Sequence, residues 1–192
     1  MTPRSSATAK CIGLAWLCGA TIGPVGDHFH VATGVTEYFT DFGPIWLGNS
    51  PLWFVLLVAT FMATIAVGQG RLANNGRGRA ANRWIFGSPV VVLALYLTTS
   101  FYPSRDGGTL ELVILAGAVA TYLVLDRTWF GLVFGVMVAV GATAFEWGLV
   151  QLGVFRYLPQ SDELFGVAPS LLPLYFAASV ATGAVGRRML SQ

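Results

Sequence analysis

Charged side chains are scarce in this sequence, and their scarcity argues against a soluble fold. Only 10% of the 192 residues are Asp, Glu, Lys or Arg, whereas 55% are hydrophobic, and the mean hydropathy is +0.66. A water-soluble domain of this size would lack the polar residues needed to cover its surface. The composition therefore predicts an integral membrane protein. The net charge of +2 is too small to indicate a nucleic-acid partner.

Residues for metal, disulfide or nucleophilic chemistry are equally few. Cys11 and Cys18, the two cysteines, lie in one apolar run, roughly 10 Å apart along a helix and beyond disulfide reach. Both histidines belong to Asp27-His28-Phe29-His30, where an extended chain would turn the imidazoles to one side. Zinc usually needs three or four protein ligands, so we predict no metal site. No Ser or Cys has a histidine partner beyond His28 and His30, and no phosphate-binding glycine loop is present. We therefore predict no catalytic residues and no cofactor.

Six apolar runs follow one another along the chain. They cover residues 11–25, 51–67, 84–102, 110–125, 129–150 and 168–185. A hydrocarbon core of about 30 Å takes about 20 helical residues, so the shorter runs would begin in flanking aromatic residues or in thinned lipid. No small-x-small cleavage site follows the first run, so it is interpreted as a retained span. We predict an all-α polytopic membrane protein, a single domain over 1–192 with six transmembrane helices.

The basic residues determine the predicted orientation. Six spans put both termini on one side, and that side receives most of the basic residues, namely Arg4, Lys10, Arg71, Arg77, Arg79, Arg83, Arg127, Arg187 and Arg188. Only Arg105 and Arg156 fall on the other side. The positive-inside rule then predicts cytoplasmic termini. A single lysine, ten arginines and abundant Ala, Gly and Val suggest a GC-rich bacterial genome, and hence a bacterial cell membrane.

Three motifs follow one another between Asp126 and Arg188. Asp126-Arg127-Thr128 precedes Gly131 and Gly135; Gly153-Val154-Phe155-Arg156-Tyr157 follows the fifth run; Leu172-Pro173 and Gly183-Ala184-Val185-Gly186-Arg187-Arg188 lie in the sixth. In order and spacing they resemble the Asp-Arg-Ser, Gly-Val-Tyr-Gln-Tyr, Leu-Pro and Gly-Asn-Ile-Gly-Arg motifs of the Insig family, the sterol-sensing proteins of the endoplasmic reticulum, and of its bacterial relatives. The resemblance implies a non-catalytic lipid-binding sensor or scaffold that holds partner proteins through its transmembrane surface.

The resemblance also implies a sterol-type site between the helices. Carried over by spacing from Asp126, its residues fall on Val92, Thr109 and Tyr122, where the family has Phe, Gln and Trp. We therefore expect the pocket to be retained with an altered shape. The matching Asp is functionally sensitive in the family, and an Asp just before a helix is also a good N-cap. Asp126 is expected to cap the fifth span and to control its conformation.

Glu146 is the most conspicuous polar residue inside a predicted span. A carboxylate there usually faces the bundle interior and has a partner, and Glu111 approaches from the same outer side. One interpretation is a polar end to a lipid cavity: Glu146 and Trp147 are predicted to bind the lipid, and Glu146 or Glu111 accepts hydrogen bonds from a hydroxylated headgroup. The other is that both carboxylates reach the aqueous interface or pair with Arg105 and Arg156. The family has neutral Thr and Gln where Glu146 and Trp147 fall.

The expected ligand is a membrane lipid, either sterol-like or diacylglycerol. Diacylglycerol fits a bacterial membrane, since its acyl chains suit a cleft open to the bilayer and its hydroxyl suits Thr109, Tyr122 or Glu146. Two alternatives remain open. A small transporter would use Glu146, Glu111 and Asp126, and a lipid-modifying enzyme would use Asp27, His28 and His30. Small-residue faces such as Gly131-x-x-x-Gly135 predict close helix packing, either within the chain or in a homo-oligomer.

Overall fold

Helices make up most of the chain that the computed structural model describes, which comprises residues 3–39, 45–46, 48–73, 82–102, 108–161 and 164–190. The described residues form six helices: α1 Pro3–Ala32, α2 Leu52–Leu72, α3 Asn82–Phe101, α4 Thr109–Leu125, α5 Trp129–Gln151 and α6 Leu171–Leu190. By length and composition, Ser5–Ala32, Leu52–Leu72, Asn82–Phe101 and Trp129–Gln151 could cross a membrane, and Thr109–Leu125 is apolar but shorter. The predicted all-α membrane architecture is confirmed.

The sixth helix forms the centre of the bundle. α6 contacts each of the other five helices, and its residues from Ser179 to Arg187 are all buried. Glycines make this close packing sterically feasible. A Cβ at Gly183 would overlap the side chain of Gln69, and a Cβ at Gly186 would overlap the backbone of Ala66. The α2–α6 seam therefore follows the general rule that small residues allow membrane helices to approach closely.

Two short strand pairs lie at one end of the bundle. β1 Thr36–Tyr38 pairs antiparallel with β4 Phe155–Tyr157, and β2 Ile45–Trp46 pairs antiparallel with β3 Ser50–Pro51. We call this end the sheet end. At the opposite end, Cys11 of α1 belongs to an apolar cluster that also contains Leu190 of α6. We call this second end the terminal end.

Helix α1 is longer than the sequence predicted. It continues to Ala32 instead of ending near residue 25. Asp27, His28 and His30 therefore lie in its last turns. Residues two apart on a helix do not face each other, so the extended-chain geometry expected for the two imidazoles was wrong. Among the residues with defined positions, no group of three or more His, Cys, Asp or Glu side chains could hold a metal ion.

The remaining helices follow the predicted runs with shifted ends. α2 extends beyond residue 67 to Leu72, and α6 begins at Leu171 and continues to Leu190, so that Gln69 and Arg187 become helical. Arg77, Arg79 and Arg105 lie outside the described residues. Exposed basic side chains in the described terminal end are those of Lys10, Arg71, Arg83, Arg127 and Arg188.

Candidate functional site

A carboxylate and two tyrosines form a polar cluster inside the sheet end. The Tyr175 hydroxyl of α6 donates to Oε2 of Glu146 on α5 at 3.1 Å, and Tyr157 of β4 is a second hydrogen-bond partner of this carboxylate. Burial, and then the nearby Glu146, raises the pKa of Tyr157 well above its ordinary value, so its hydroxyl keeps the proton that it donates. Neither ion pair found in the described chain involves Glu146. Hydroxyl groups are therefore its identified partners.

A second carboxylate in the sheet end, that of Asp27, is buried. Its Oδ1 accepts a hydrogen bond from the Tyr38 hydroxyl at 2.9 Å, and its Oδ2 accepts one from Ser50 Oγ at 2.5 Å. Burial, followed by the proximity of Asp27, raises the pKa of Tyr38, which keeps this phenol protonated as well. Because Ser50 begins β3, which leads directly into α2, and Tyr38 ends β1, Asp27 connects the end of α1 to both strands.

Two residues of α3 complete this polar region. The Tyr96 ring packs edge-on against His30, with 4.8 Å between the ring centroids. Nε2 of His30 lies 2.7 Å from Oγ1 of Thr99. Since the Thr99 hydroxyl donates to the Tyr96 carbonyl oxygen at 2.6 Å, the His30 ring is the donor.

An apolar cavity lies further along the same face of α3. Its volume is about 70 Å³, and its lining comprises Leu14, Ala15 and Cys18 of α1, Met62 of α2, Phe86, Pro89 and Val92 of α3, and Ala181, Thr182 and Val185 of α6. The Thr182 hydroxyl points at the Met62 sulfur, 3.1 Å away. Separately, an open groove of about 420 Å³ at the sheet end is lined by Val150, Arg156, Tyr157, Leu158, Pro159 and Gly166.

A buried ion pair joins three elements at the terminal end. Nη2 of Arg187 lies 2.8 Å from Oδ2 of Asp126, and both side chains are at most 5% exposed. Arg187 also donates to the side-chain oxygen of Gln69 on α2. The Gln69 amide in turn donates to the Ser179 carbonyl oxygen at 3.3 Å. Asp126 therefore connects the α4–α5 turn to α6 and, through Arg187, to α2.

The N-cap of α5 is Thr128, so the prediction that Asp126 caps this helix was wrong by two positions. Oγ1 of Thr128 accepts a hydrogen bond from the Gly131 amide at 3.0 Å. Asp126 supports the cap, because its Oδ1 accepts a hydrogen bond from the Thr128 amide at 3.1 Å. A Cβ at Gly131 would come within 1.8 Å of Asp126 Oδ2, which explains the glycine there.

The residues predicted for the lipid site do not meet in one place. Val92 lines the apolar cavity, whereas Tyr122 packs against the neighbouring core and donates its hydroxyl to the Thr128 carbonyl oxygen at 3.0 Å. Thr109 is the exposed first residue of α4. Trp147 is exposed on α5. Of the five, only Glu146 lies in the tyrosine cluster.

The structure contradicts one alternative from the sequence, the pairing of Glu146 or Glu111 with Arg156. Arg156 does not pair with Glu146 or Glu111, because its guanidinium binds Glu37 at 2.6 Å on the surface of the strand pair. Asp126 and Glu146 lie at opposite ends of α5, and Asp126 is enclosed by its ion pair. The alternative of a small transporter that uses Glu146, Glu111 and Asp126 stays a prediction.

Sequence reasoning missed several partners that complete both polar clusters. Tyr157 and Tyr175 were not recognised, because aromatic residues near helix ends also fit a headgroup position. Gln69 carried the clearest unused signal, an uncharged polar side chain between two glycines at the end of an apolar run. Arg187 was assigned to the basic terminal face, and its burial depends on contacts distant in sequence.

Comparison with known proteins finds a relative of this chain, although no protein-family model matches it. An Insig protein homologue from Mycolicibacterium vanbaalenii is 41% identical over 172 residues, which are 89% of this chain and 82% of that protein. The chain belongs to the Insig family.

Solved structures of an Insig homologue share the fold of this chain. The crystal structure of MvINS, a mycobacterial Insig homologue from Mycobacterium vanbaalenii, matches it with a TM-score of 0.85 and 37% identity over 95% of both chains. A cross-linked trimer of MvINS matches with the same TM-score, 36% identity and the same coverage. The family resemblance stated from the sequence is confirmed. In this Insig chain Gly131 and Gly135 face the protein interior, against Asp126 and Phe176.

Proposed function

We propose that this Insig-family protein is non-catalytic and holds one hydroxylated membrane lipid, diacylglycerol or a sterol-like molecule, between its helices. It would act as a sensor or as a scaffold for partner membrane proteins. One observation carries the proposal: Val92 lines the apolar cavity, and Tyr96, one turn further on the same face of α3, packs against His30 in the polar region of the sheet end. The apolar body and the hydroxyl of a lipid would meet complementary surfaces along this face.

The cavity in its present form admits part of a lipid. Its volume of about 70 Å³ compares with about 10–15 Å³ for one water-sized probe. Phe86 is half exposed and Cys18 is partly exposed, so the cavity wall borders the lipid-facing surface between α1 and α3. The remainder of an acyl chain would extend through this side into the bilayer.

A matched pair of valines on α3 tests the apolar end. Val92 is 4% exposed and lines the cavity, whereas Val90 is 69% exposed on the same helix. We expect Val92→Phe to fill the cavity and to reduce co-purified lipid at least tenfold, and Val90→Phe to retain it. The measurement is native mass spectrometry of the detergent-purified protein, followed by lipid extraction and identification.

A third variant keeps this test decisive if Val92→Phe folds poorly. Val92→Ala enlarges the cavity, and we expect it to retain lipid as well as the parent protein does. An unmodified protein that carries no stoichiometric lipid and binds neither added diacylglycerol nor a sterol would contradict the proposal. Equal lipid retention in Val92→Phe and Val90→Phe would place the lipid elsewhere.

Cys18 provides a second readout inside the cavity wall. Cys11 is fully buried and Cys18 is partly exposed, so a small apolar maleimide should label Cys18 first, and Cys11→Ala removes the remaining background. We expect added diacylglycerol to slow labelling of Cys18 several-fold. An unchanged labelling rate at saturating lipid would argue against occupancy of this cavity.

Glu146→Gln tests the polar end without changing its size. The amide oxygen can still accept from Tyr175, but it is a weaker acceptor than a carboxylate. We expect retention of a lipid with a free hydroxyl to fall, and retention of the same lipid with the hydroxyl acetylated to change little. Equal effects on both lipids would show that Glu146 does not recognise the hydroxyl.

We further propose a homo-oligomer in a bacterial cell membrane with cytoplasmic termini. MvINS has been solved as a cross-linked trimer. On α5, a Cβ at Gly141 or Gly148 would meet nothing within 4 Å, so this face can receive another helix. The oligomeric mass in the same native spectra tests the assembly, and a strictly monomeric protein across detergents would contradict it.

A further inference from the structure

We propose that the turn over residues 164–167 is a membrane-interface anchor, in which Phe165 inserts its ring into the lipid headgroup layer at the sheet end. Nothing in this proposal depends on the lipid site between the helices. Its partner is the surrounding bilayer itself, and its chemistry is that of an aromatic ring at a polar–apolar boundary.

The turn holds Phe165 in a backbone conformation that phenylalanine rarely adopts. Leu164 and Val167 form an antiparallel bridge, with N to O distances of 2.9 and 3.1 Å. Between them, φ is +54° at Phe165 and +94° at Gly166. Turns with two left-handed central residues favour Asn, Asp or Gly at the first position. A phenylalanine there is unfavourable by itself, so its side chain is expected to gain free energy from a contact outside the backbone.

The described part of the protein does not supply that contact. Phe165 is 84% exposed, more than any other large hydrophobic residue among those described. Its flanking residues behave differently: Val167 is buried in the apolar cluster beneath the strand pair, and Leu164 packs against the same cluster. The turn is therefore anchored on the protein at both sides while the ring points away from it.

The position of the turn matches the edge of the hydrocarbon layer. α5 has 23 residues, about 34 Å at 1.5 Å per residue, enough to cross a hydrocarbon core of about 30 Å. Gly166 lies against the last turn of α5, where an added Cβ would be 3.7 Å from Val150 Cγ1. The turn therefore lies at the depth where α5 leaves the membrane.

The exposed apolar surface of α5 extends to the same depth as the turn. Met137 and Val140 are exposed along the helix, and Leu152, just after its end, is 75% exposed. The open groove of about 420 Å³ between Gly166 and Arg156 leaves room for a polar headgroup beside the turn. An aromatic ring beside such a groove, at the end of an apolar helix face, fits a lipid bilayer as its partner.

Site-specific fluorescence quenching tests the proposal in the full chain. Cys11→Ala and Cys18→Ala provide a background for Phe165→Cys, which is labelled with NBD and reconstituted in phosphatidylcholine nanodiscs. Quenching by a lipid with a nitroxide at acyl carbon 5 is compared with quenching by aqueous iodide. Glu37→Cys gives the water-facing reference, since its exposed ion pair with Arg156 contributes little to stability. Leu152→Cys is a second lipid-facing position.

We expect the labels at Phe165 and Leu152 to be quenched at least threefold more by the nitroxide lipid than by iodide, and the label at Glu37 to show the reverse. Iodide quenching at Phe165 equal to that at Glu37 would overturn the proposal. Protection from both quenchers would overturn it as well, because it would assign the ring to contact with another protein copy. If Phe165→Cys does not fold, iodide quenching at Leu152 would remove the depth argument and overturn the proposal.

Discussion

At Gly186 there is no room for one additional methyl group. An added Cβ would lie 1.9 Å from the Ala66 carbonyl oxygen, and rigid helix backbone cannot move aside. We expect Gly186→Ala to destabilise the protein by about 1–3 kcal/mol through overpacking. Gly141→Ala is the control on α5, where nothing lies within 4 Å and helix propensity favours alanine by up to about 1 kcal/mol. Thermal unfolding in one detergent compares the two, and equal melting temperatures would contradict a tight α2–α6 seam.

The two ion pairs found among the described residues allow the effect of burial to be measured. Arg187–Asp126 is buried, whereas Arg156–Glu37 is about half exposed. Removing one partner of a buried pair leaves the other charge uncompensated, so Asp126→Asn should cost about 3–5 kcal/mol. Glu37→Gln should cost less than about 1 kcal/mol. Chemical denaturation of both variants measures the difference, and similar midpoints would show that the Asp126 site admits water.

Element boundaries show what the sequence determines and what it leaves open. Apolar runs predicted α3, α4 and α5 to within a few residues, because lipid-facing side chains must be apolar whatever their neighbours. The end of α1 was missed, since Asp27 and His30 resemble loop residues until Tyr38, Ser50 and Thr99 are known to bind them. Such partners arise from contacts distant in sequence.

The candidate site, too, could be predicted from the sequence only in part. The polar character of Glu146 could be inferred from its position within an apolar run, but its tyrosine partners come from β4 and α6. Val92 was placed in the lipid site by family spacing, and it does line the apolar cavity. Thr109 followed from the same spacing, and Trp147 from its place beside Glu146. Both are exposed, because sequence position gives the depth of a residue along a helix but not the direction in which it faces.

The His30–Thr99 contact should hold the last turns of α1 against α3. Thr99→Val leaves the His30 donor buried without its partner, at a cost of about 1–3 kcal/mol, and should increase hydrogen exchange over residues 27–32. Thr98→Val is the matched control, because the exposed Thr98 hydroxyl donates only to the Ala94 carbonyl oxygen of its own helix. Hydrogen-exchange mass spectrometry compares the variants. Equal protection of residues 27–32 would show that this contact does not stabilise the end of α1.

At the scale of the whole molecule, the charge distribution predicts how the bundle sits in the membrane. Lys10, Arg71 and Arg188 are exposed at the terminal end, and Glu37 neutralises Arg156 at the sheet end. In a chain without other cysteines, we expect an impermeant maleimide to label Glu37→Cys in intact cells and Lys10→Cys only after permeabilisation. Labelling of Lys10→Cys in intact cells would contradict the predicted orientation.

The central position of α6 also has a consequence for biosynthesis. A ribosome produces the chain from its amino terminus, so α6 is made after all five helices that it contacts. Until then Gln69 and Asp126 lack Arg187, their partner in the finished protein. The nascent chain therefore exposes buried polar groups to lipid or to the insertion machinery, and α6 completes the fold by covering them. Quality control that senses polar groups in the bilayer could distinguish finished chains from unfinished ones at this step.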